Sequence, residues 1–164
     1  MKHQNTIRTI SLFLNGLYAG AAMYSLMGIG PAMKLMPQVC YVEFHQKLDF
    51  FMGVRMAMFA KITLVINVLL LIAAIRHSTK PVLLLTIAAF LFFTAELFFT
   101  LTVNVPINTE IQKWGAQNLP GNWMLIREKW VHYDVIRAVC IITSFALYLV
   151  IITLTVKKTE WAGN

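Results

Sequence analysis

The chain has 164 residues, of which 59% are hydrophobic, 12% aromatic and only 13% charged, with a mean hydropathy of +0.68. An average soluble domain carries about 25% charged residues, so this composition excludes a water-soluble globular domain, and it excludes intrinsic disorder, which needs low hydrophobicity. Two cysteines cannot staple a fold of this size, and the net charge of +7 lacks the concentrated basic stripe that a nucleic-acid partner requires. One all-α transmembrane domain over residues 1–164 is expected.

Crossing ~30 Å of hydrocarbon as a helix takes about 20 apolar residues, and four segments supply them. Helix one is expected over about 7–33. Lys2 and Arg8 ahead of an apolar run, with small residues at 19–22, have the look of a secretory signal. The run continues through Met23, Leu26, Met27 and Ile29, beyond a signal core of roughly 7–15 residues, so the segment is read as a retained span. Helix two is apolar over about 54–75, and residues 42–51 hold no helix breaker. It is therefore expected over 41–76, ~54 Å at 1.5 Å per residue. On it His45, Asp49, Met52 and Met56 follow helical spacing and share one face, whereas Glu43 and Lys61 do not.

Helix three is expected over 81–104, with Glu96 some eight residues below its far end and Pro106 as its stop. Asn104 and Asn108 bracket that proline. Thr109 with Gln112 suits a capping box for a short helix through Trp114, and Gly115 with Pro120-Gly121 returns the chain. Helix four is expected over 123–157 behind an Asn122 N-cap. Trp130, Asp134, Arg137 and Ile141 make one stripe on it, with Tyr133 on the shoulder and His132 on the opposite face. No internal repeat stands out.

Lys2, Arg8, Arg76, Lys80, Lys157 and Lys158 fall at one end of such a four-helix bundle. Lys and Arg favour the cytoplasmic side, so both termini are expected in the cytoplasm of a plasma (inner) membrane, with residues 105–132 forming a structured extracytoplasmic cap. At the other end Lys34, Lys47, Lys113, Arg127 and Lys129 are mixed with Glu43, Asp49, Glu110 and Glu128. The positive balance reads as topology and contact with anionic lipids.

Ionisable groups inside a span are costly and face the bundle interior. Glu96 and Lys61 lie at comparable depth, which suits either a buried ion pair or a role for Glu96 as ligand contact or proton carrier. Asn15 and Asn67 suit interhelical hydrogen bonding. His45, Asp49, Asn104, Asn108, Trp130, Asp134 and Arg137 converge near the cap, and one connected polar pocket is expected there. The bland reading is a membrane–water interface, whose aromatic belt would take in Tyr41, Trp114, Trp123, Trp130 and Tyr133. No His-x-x-x-His, CxxC or glycine-rich phosphate loop is present. Cys40 and Cys140 are expected as free thiols. A haem lacks a matched axial pair. A metal held by His45, Asp49 and Asp134 is a minor alternative, and the cofactor is otherwise left open, none included.

The segment Asn104-Val-Pro-Ile-Asn108, then Arg127 and Trp130 three apart, then Asp134 and Arg137, resembles a known signature. With Gly16-Leu-Tyr-Ala-Gly20 in helix one, it resembles the anthrone oxygenase-like family of small four-helix membrane proteins. Asp134 stands where many members carry His or Asn. The resemblance implies a membrane-embedded pocket in which a lipophilic aromatic or quinol-type substrate reacts with molecular oxygen. It implies Asp134 or His45 as base, Asn104, Asn108 and Arg137 as donors to the resulting anion, and Trp130 stacked on the substrate. Asp49 and Glu96 are counted with the binding residues. The expected function is a membrane oxidoreductase of oxygenase type; the alternative is a non-enzymatic lipophile-binding or membrane assembly protein. A transporter finds little support without paired broken helices. Membrane lipids and a lipophilic small molecule are the expected partners, and homo-oligomerisation is left open.

Overall fold

The computed structural model describes residues 2–115 and 118–161, with side chains over 5–115 and 118–155. Lys2, Lys157 and Lys158, counted above for orientation, have side chains outside that description. Among the described residues there is no named strand, and four helical stretches are long and apolar enough to cross a membrane: Asn5–Leu35, Gln38–His77, Lys80–Ile111 and Trp123–Thr155. They are spans one to four of an integral membrane protein. Each span packs on its two neighbours in a ring, one against two, two against three, three against four and four against one. Both described ends of the chain and the Ser78–Thr79 turn share one end of the bundle, here called proximal; the distal end holds the two remaining connections.

Spans one and three are interrupted. Span one runs as α1 (Lys2–Tyr24), a π-helical turn (Ser25–Ile29) and α2 (Gly30–Leu35); α3 (Gln38–His77) is span two. Span three runs as α4 (Lys80–Phe99), a second π-turn (Thr100–Asn104) and α5 (Val105–Ile111), and α6 (Trp123–Trp161) contains span four. Pro106 therefore does not end span three. A proline ring strikes the carbonyl four residues back and offers it no N–H; those carbonyls belong to Met27 for Pro31 and Thr102 for Pro106, the middle residue of each π-turn. The wider turn removes the clash, and Gly30 and Val105 N–H close it onto Ser25 and Thr100 carbonyls. With the helix unbroken, the capping box at Thr109 does not form: its hydroxyl donates back to the Val105 carbonyl.

The two halves have one construction. Ser25-Leu-x-x-x-x-Pro31 and Thr100-Leu-x-x-x-x-Pro106 mark the interrupted spans, and each is followed by a single long helix, of 40 residues in α3 and 39 in α6. His45 and Asp49 in α3 take the places of Trp130 and Asp134 in α6. A two-fold axis along the bundle would exchange spans one and three, two and four, and the one–four seam with the two–three seam.

Lipid gives helices no hydrophobic incentive to associate, so the bundle relies on close packing and interhelical hydrogen bonds. Apolar and polar layers alternate. Leu70, Val82, Ala89, Tyr148 and Ile151 form the proximal layer; Tyr18, Ala60, Phe93 and Ile141 the middle one; Met33, Tyr41, Val42, Ile107, Ile111, Trp130 and Val131 the distal one. Between the first two lies the expected asparagine contact: Asn15 Nδ2 and Ser11 Oγ donate to Asn67 Oδ1 at 2.9 and 2.6 Å. Gly16 lets spans one and four approach, since a Cβ there would stand 3.1 Å from the Phe145 ring.

Candidate functional site

The second polar layer is ionic. Glu96, 1% exposed, accepts Arg137 through Nε and Nη2, both 3.0 Å from Oε1. Thr100 donates to the same oxygen at 2.8 Å, and the Tyr18 hydroxyl donates to Oε2 at 3.1 Å. Every one of these contacts treats Glu96 as an acceptor, which suits an ionised carboxylate. Asp134 is held more loosely. Ser25 donates to its Oδ2 at 2.7 Å, and Arg137 Nη1 stands 3.5 Å from Oδ1. The guanidinium thus bridges two carboxylates, bound firmly to the deeper one. The hydroxyl opening each π-turn completes the arrangement, Ser25 on Asp134 and Thr100 on Glu96.

Asp134 also borders space. A groove of about 220 Å³ follows the one–four seam, lined by Leu26, Gly30, Pro31, Lys34, Val131, Asp134 and Val135. Its walls are apolar, with the carboxylate as the acidic group and Lys34, exposed, as the basic one. Gly30 keeps the mouth open: a Cβ there would project to 3.5 Å from a Val131 methyl. In the two–three seam Val105 takes the place of Gly30.

A separate network lies nearer the distal end. Asn108 is its centre: Nδ2 donates to Asp49 at 2.7 Å, and Oδ1 accepts Trp130 Nε1 at 2.7 Å and lies 3.1 Å from His45 Nε2. Gln112 donates to Asp49 Oδ2 at 3.1 Å. Gln46 ties α3 to the three–four connection through the Ile111 and Trp114 carbonyls at 2.8 and 3.0 Å. Asn104, in the second π-turn, reaches the Trp130 carbonyl at 3.4 Å. Arg127 donates to the Met36 carbonyl at 3.1 Å and stacks on Trp123 and Tyr41, 4.9 and 5.6 Å from their centroids.

A family model described as "Anthrone oxygenase" matches residues 50–147, more than half of the chain. The chain belongs to the anthrone oxygenase family. No curated protein and no solved structure matches it. The stretch matched to the anthrone oxygenase model holds Glu96, Thr100, Asn104, Asn108, Trp130, Asp134 and Arg137, so it covers the whole α4–α6 side of both networks. Tyr18, Ser25, His45 and Asp49 lie upstream of it.

The expected site residues are thus placed in two groups rather than one pocket. Asp134, Arg137 and Glu96 belong to the ionic layer; His45, Asp49, Asn108 and Trp130 to the distal network, with Asn104 at its edge. His45 and Asp49 meet on Asn108 while Asp134 meets Ser25, so the three do not converge, and among the described residues no three His, Cys, Asp or Glu gather to hold a metal ion. Lys61 is exposed and Glu96 pairs with Arg137, which corrects the Glu96–Lys61 pairing. Cys40 and Cys140 are free. Sequence reasoning missed Tyr18, Ser25 and Thr100. The Ser/Thr-Leu-x-x-x-x-Pro repeat was the available signal, and Tyr18 follows from Ser11 and Asn15 by helical spacing.

Proposed function

We propose that this protein is an oxygenase-type enzyme of the membrane, acting on a lipophilic aromatic of anthrone or quinol type in the groove of the one–four seam. One observation carries the reading: a carboxylate, Asp134, lines an apolar groove beside a guanidinium that a second carboxylate already holds. An anthrone-type CH2, acidified by its flanking rings, gives a proton to Asp134. Protonation weakens the hold of Asp134 on Arg137 Nη1, which then faces the new substrate anion as its positive partner. The anion reduces dioxygen, the oxidant, by forming a C–O bond. The proton returns to the peroxide. Asp134 then takes the remaining C–H proton, that C–H pair forms the C=O as the O–O bond breaks, and the departing hydroxide takes up the proton, so that CH2 plus O2 becomes C=O plus H2O. Glu96, Tyr18 and Thr100 act through Arg137 as positioning residues.

Oxygen uptake by the purified full chain in nanodiscs, with anthrones and quinols as substrates, tests this. Wild-type protein is expected to exceed the uncatalysed rate, and Asp134→Asn to lose about 100-fold, the usual scale of a positioned base. A folded Asp134→Asn protein at the wild-type rate removes the base. Saturable binding of the same compounds without oxygen uptake instead assigns a lipophile-binding role to the groove.

A further inference from the structure

Four buried polar atoms at the distal end have no hydrogen-bond partner among the described residues: the Tyr41 hydroxyl, His45 Nδ1, Asn104 Oδ1 and Arg127 Nε. Buried polar groups are seldom left unpaired, and each exception needs an explanation. The direction of the surrounding hydrogen bonds supplies one for Tyr41 and His45. An indole N–H can only donate, and an ionised carboxylate can only accept. Asn108, 2.7 Å from Trp130 Nε1 and 2.7 Å from Asp49 Oδ1, must therefore turn Oδ1 to the indole and Nδ2 to the carboxylate. His45 Nε2 lies 3.1 Å from that same Oδ1, an acceptor, so Nε2 carries the imidazole proton. In the neutral ring the lone pair then sits on Nδ1. Asp49 cannot take the proton, because Asn108 stands between the two.

The tautomer leaves a matched pair. His45 Nδ1 is a buried acceptor, and one helical turn earlier the Tyr41 hydroxyl is a buried donor, on residues 2% and 0% exposed whose ring centroids are 5.6 Å apart. We propose that Tyr41 and His45 together bind one hydroxyl group, which accepts from the Tyr41 O–H and donates to His45 Nδ1. An ether cannot donate and a carboxylate would bring an unpaired charge, so the pair selects a neutral hydroxyl. The surroundings are aromatic, with Trp130 5.0 Å from the imidazole and Trp123 6.0 Å from Tyr41, centroid to centroid. A phenol suits such walls; a water molecule supplies the same hydroxyl chemistry. Val131 belongs to the buried cluster that contains Tyr41 and also lines the groove, but neither Tyr41 nor His45 lines the groove or belongs to the ionic layer.

Nitrogen NMR on the full chain in nanodiscs, with 15N-labelled histidine, reads the pair directly. His45 is assigned by its loss in His45→Gln or, should that variant not fold, by replacing the other three histidines. The expected spectrum has Nε2 protonated and Nδ1 unprotonated. Adding 4-propylphenol should shift Nδ1 to a hydrogen-bonded value, the methyl ether should not, and Tyr41→Phe should weaken phenol binding about tenfold, the loss of one good hydrogen bond. Water as the occupant gives Nδ1 hydrogen-bonded from the start, indifferent to the phenol and shifted by Tyr41→Phe. Nδ1 carrying the proton, Nδ1 with a free lone pair in every sample, or an unchanged response in Tyr41→Phe overturns the proposal. Asp134→Asn should leave all these signals as in wild type, so this site and the base at Asp134 stand or fall separately.

Discussion

Glu96 and Asp134 are both carboxylates on Arg137, yet their surroundings give them different work. Glu96 receives four donor contacts in a site 1% exposed, whereas Asp134 has one hydroxyl, one longer ionic contact and a groove beside it. Removing one partner of a buried ion pair strands the other charge, typically at a cost of about 3 kcal/mol. Glu96→Gln should therefore lower unfolding stability in mixed micelles by about that amount, and Thr100→Val, which deletes one interhelical-scale hydrogen bond, by about 0.6 kcal/mol. Wild-type stability in Glu96→Gln would show that Glu96 does not hold the guanidinium. The sequence announced Asp134 and Arg137 as neighbours by their spacing of three. It gave Glu96 the wrong partner, because depth along two spans fixes height but not direction, and Lys61 points out of the bundle at the height where Arg137 points in.

At the scale of elements, the two π-turns decide which side chains meet. Residues four apart drift about 40° around a straight α-helix. Across the Thr100–Asn104 turn the wider winding absorbs that drift, so Glu96, Thr100, Asn104 and Asn108 all face inward. Pro106 was legible as a disturbance, but reading it as a stop assumed that the helix must break rather than widen. Pro31 lay inside the expected helix one without consequence, although it sits in the same sequence frame. π-turns cluster at functional sites, and here each opens with the hydroxyl that serves a carboxylate. Restoring the N–H in Pro31→Ala permits an ordinary α-turn, which would rotate Ser25 away from Asp134. Thermal stability should be kept or raised, since an interior proline costs about 3 kcal/mol. Oxygen uptake should fall about tenfold with the Ser25 hydrogen bond. Stability and uptake both at wild-type values would separate the π-turn from the site.

For the molecule as a whole, the halves are alike in frame and unlike in chemistry. Gly30 against Val105 leaves the one–four seam open, and Arg137 against the exposed Met52 puts the fixed positive charge on one side alone. Hydropathy was enough to show four spans, and too coarse to show that the second pair repeats the first. Arg127 at the distal end is engaged by the Met33 and Met36 carbonyls and by two aromatic rings, so it is committed to structure. Arg76 and Lys80 flank the Ser78–Thr79 turn at the proximal end, where Arg8 donates to the Ser78 hydroxyl at 3.1 Å. By the preference of such basic turns for the cytoplasm, the proximal end should lie inside. The experiment places single cysteines at Thr79 and Asn118, both exposed, after replacing Cys40 and Cys140. In bacterial cells a membrane-impermeant maleimide should label Asn118→Cys in intact cells and Thr79→Cys only after permeabilisation. The reverse pattern would invert the protein in its membrane, and labelling of both from one side would break the four-span bundle itself.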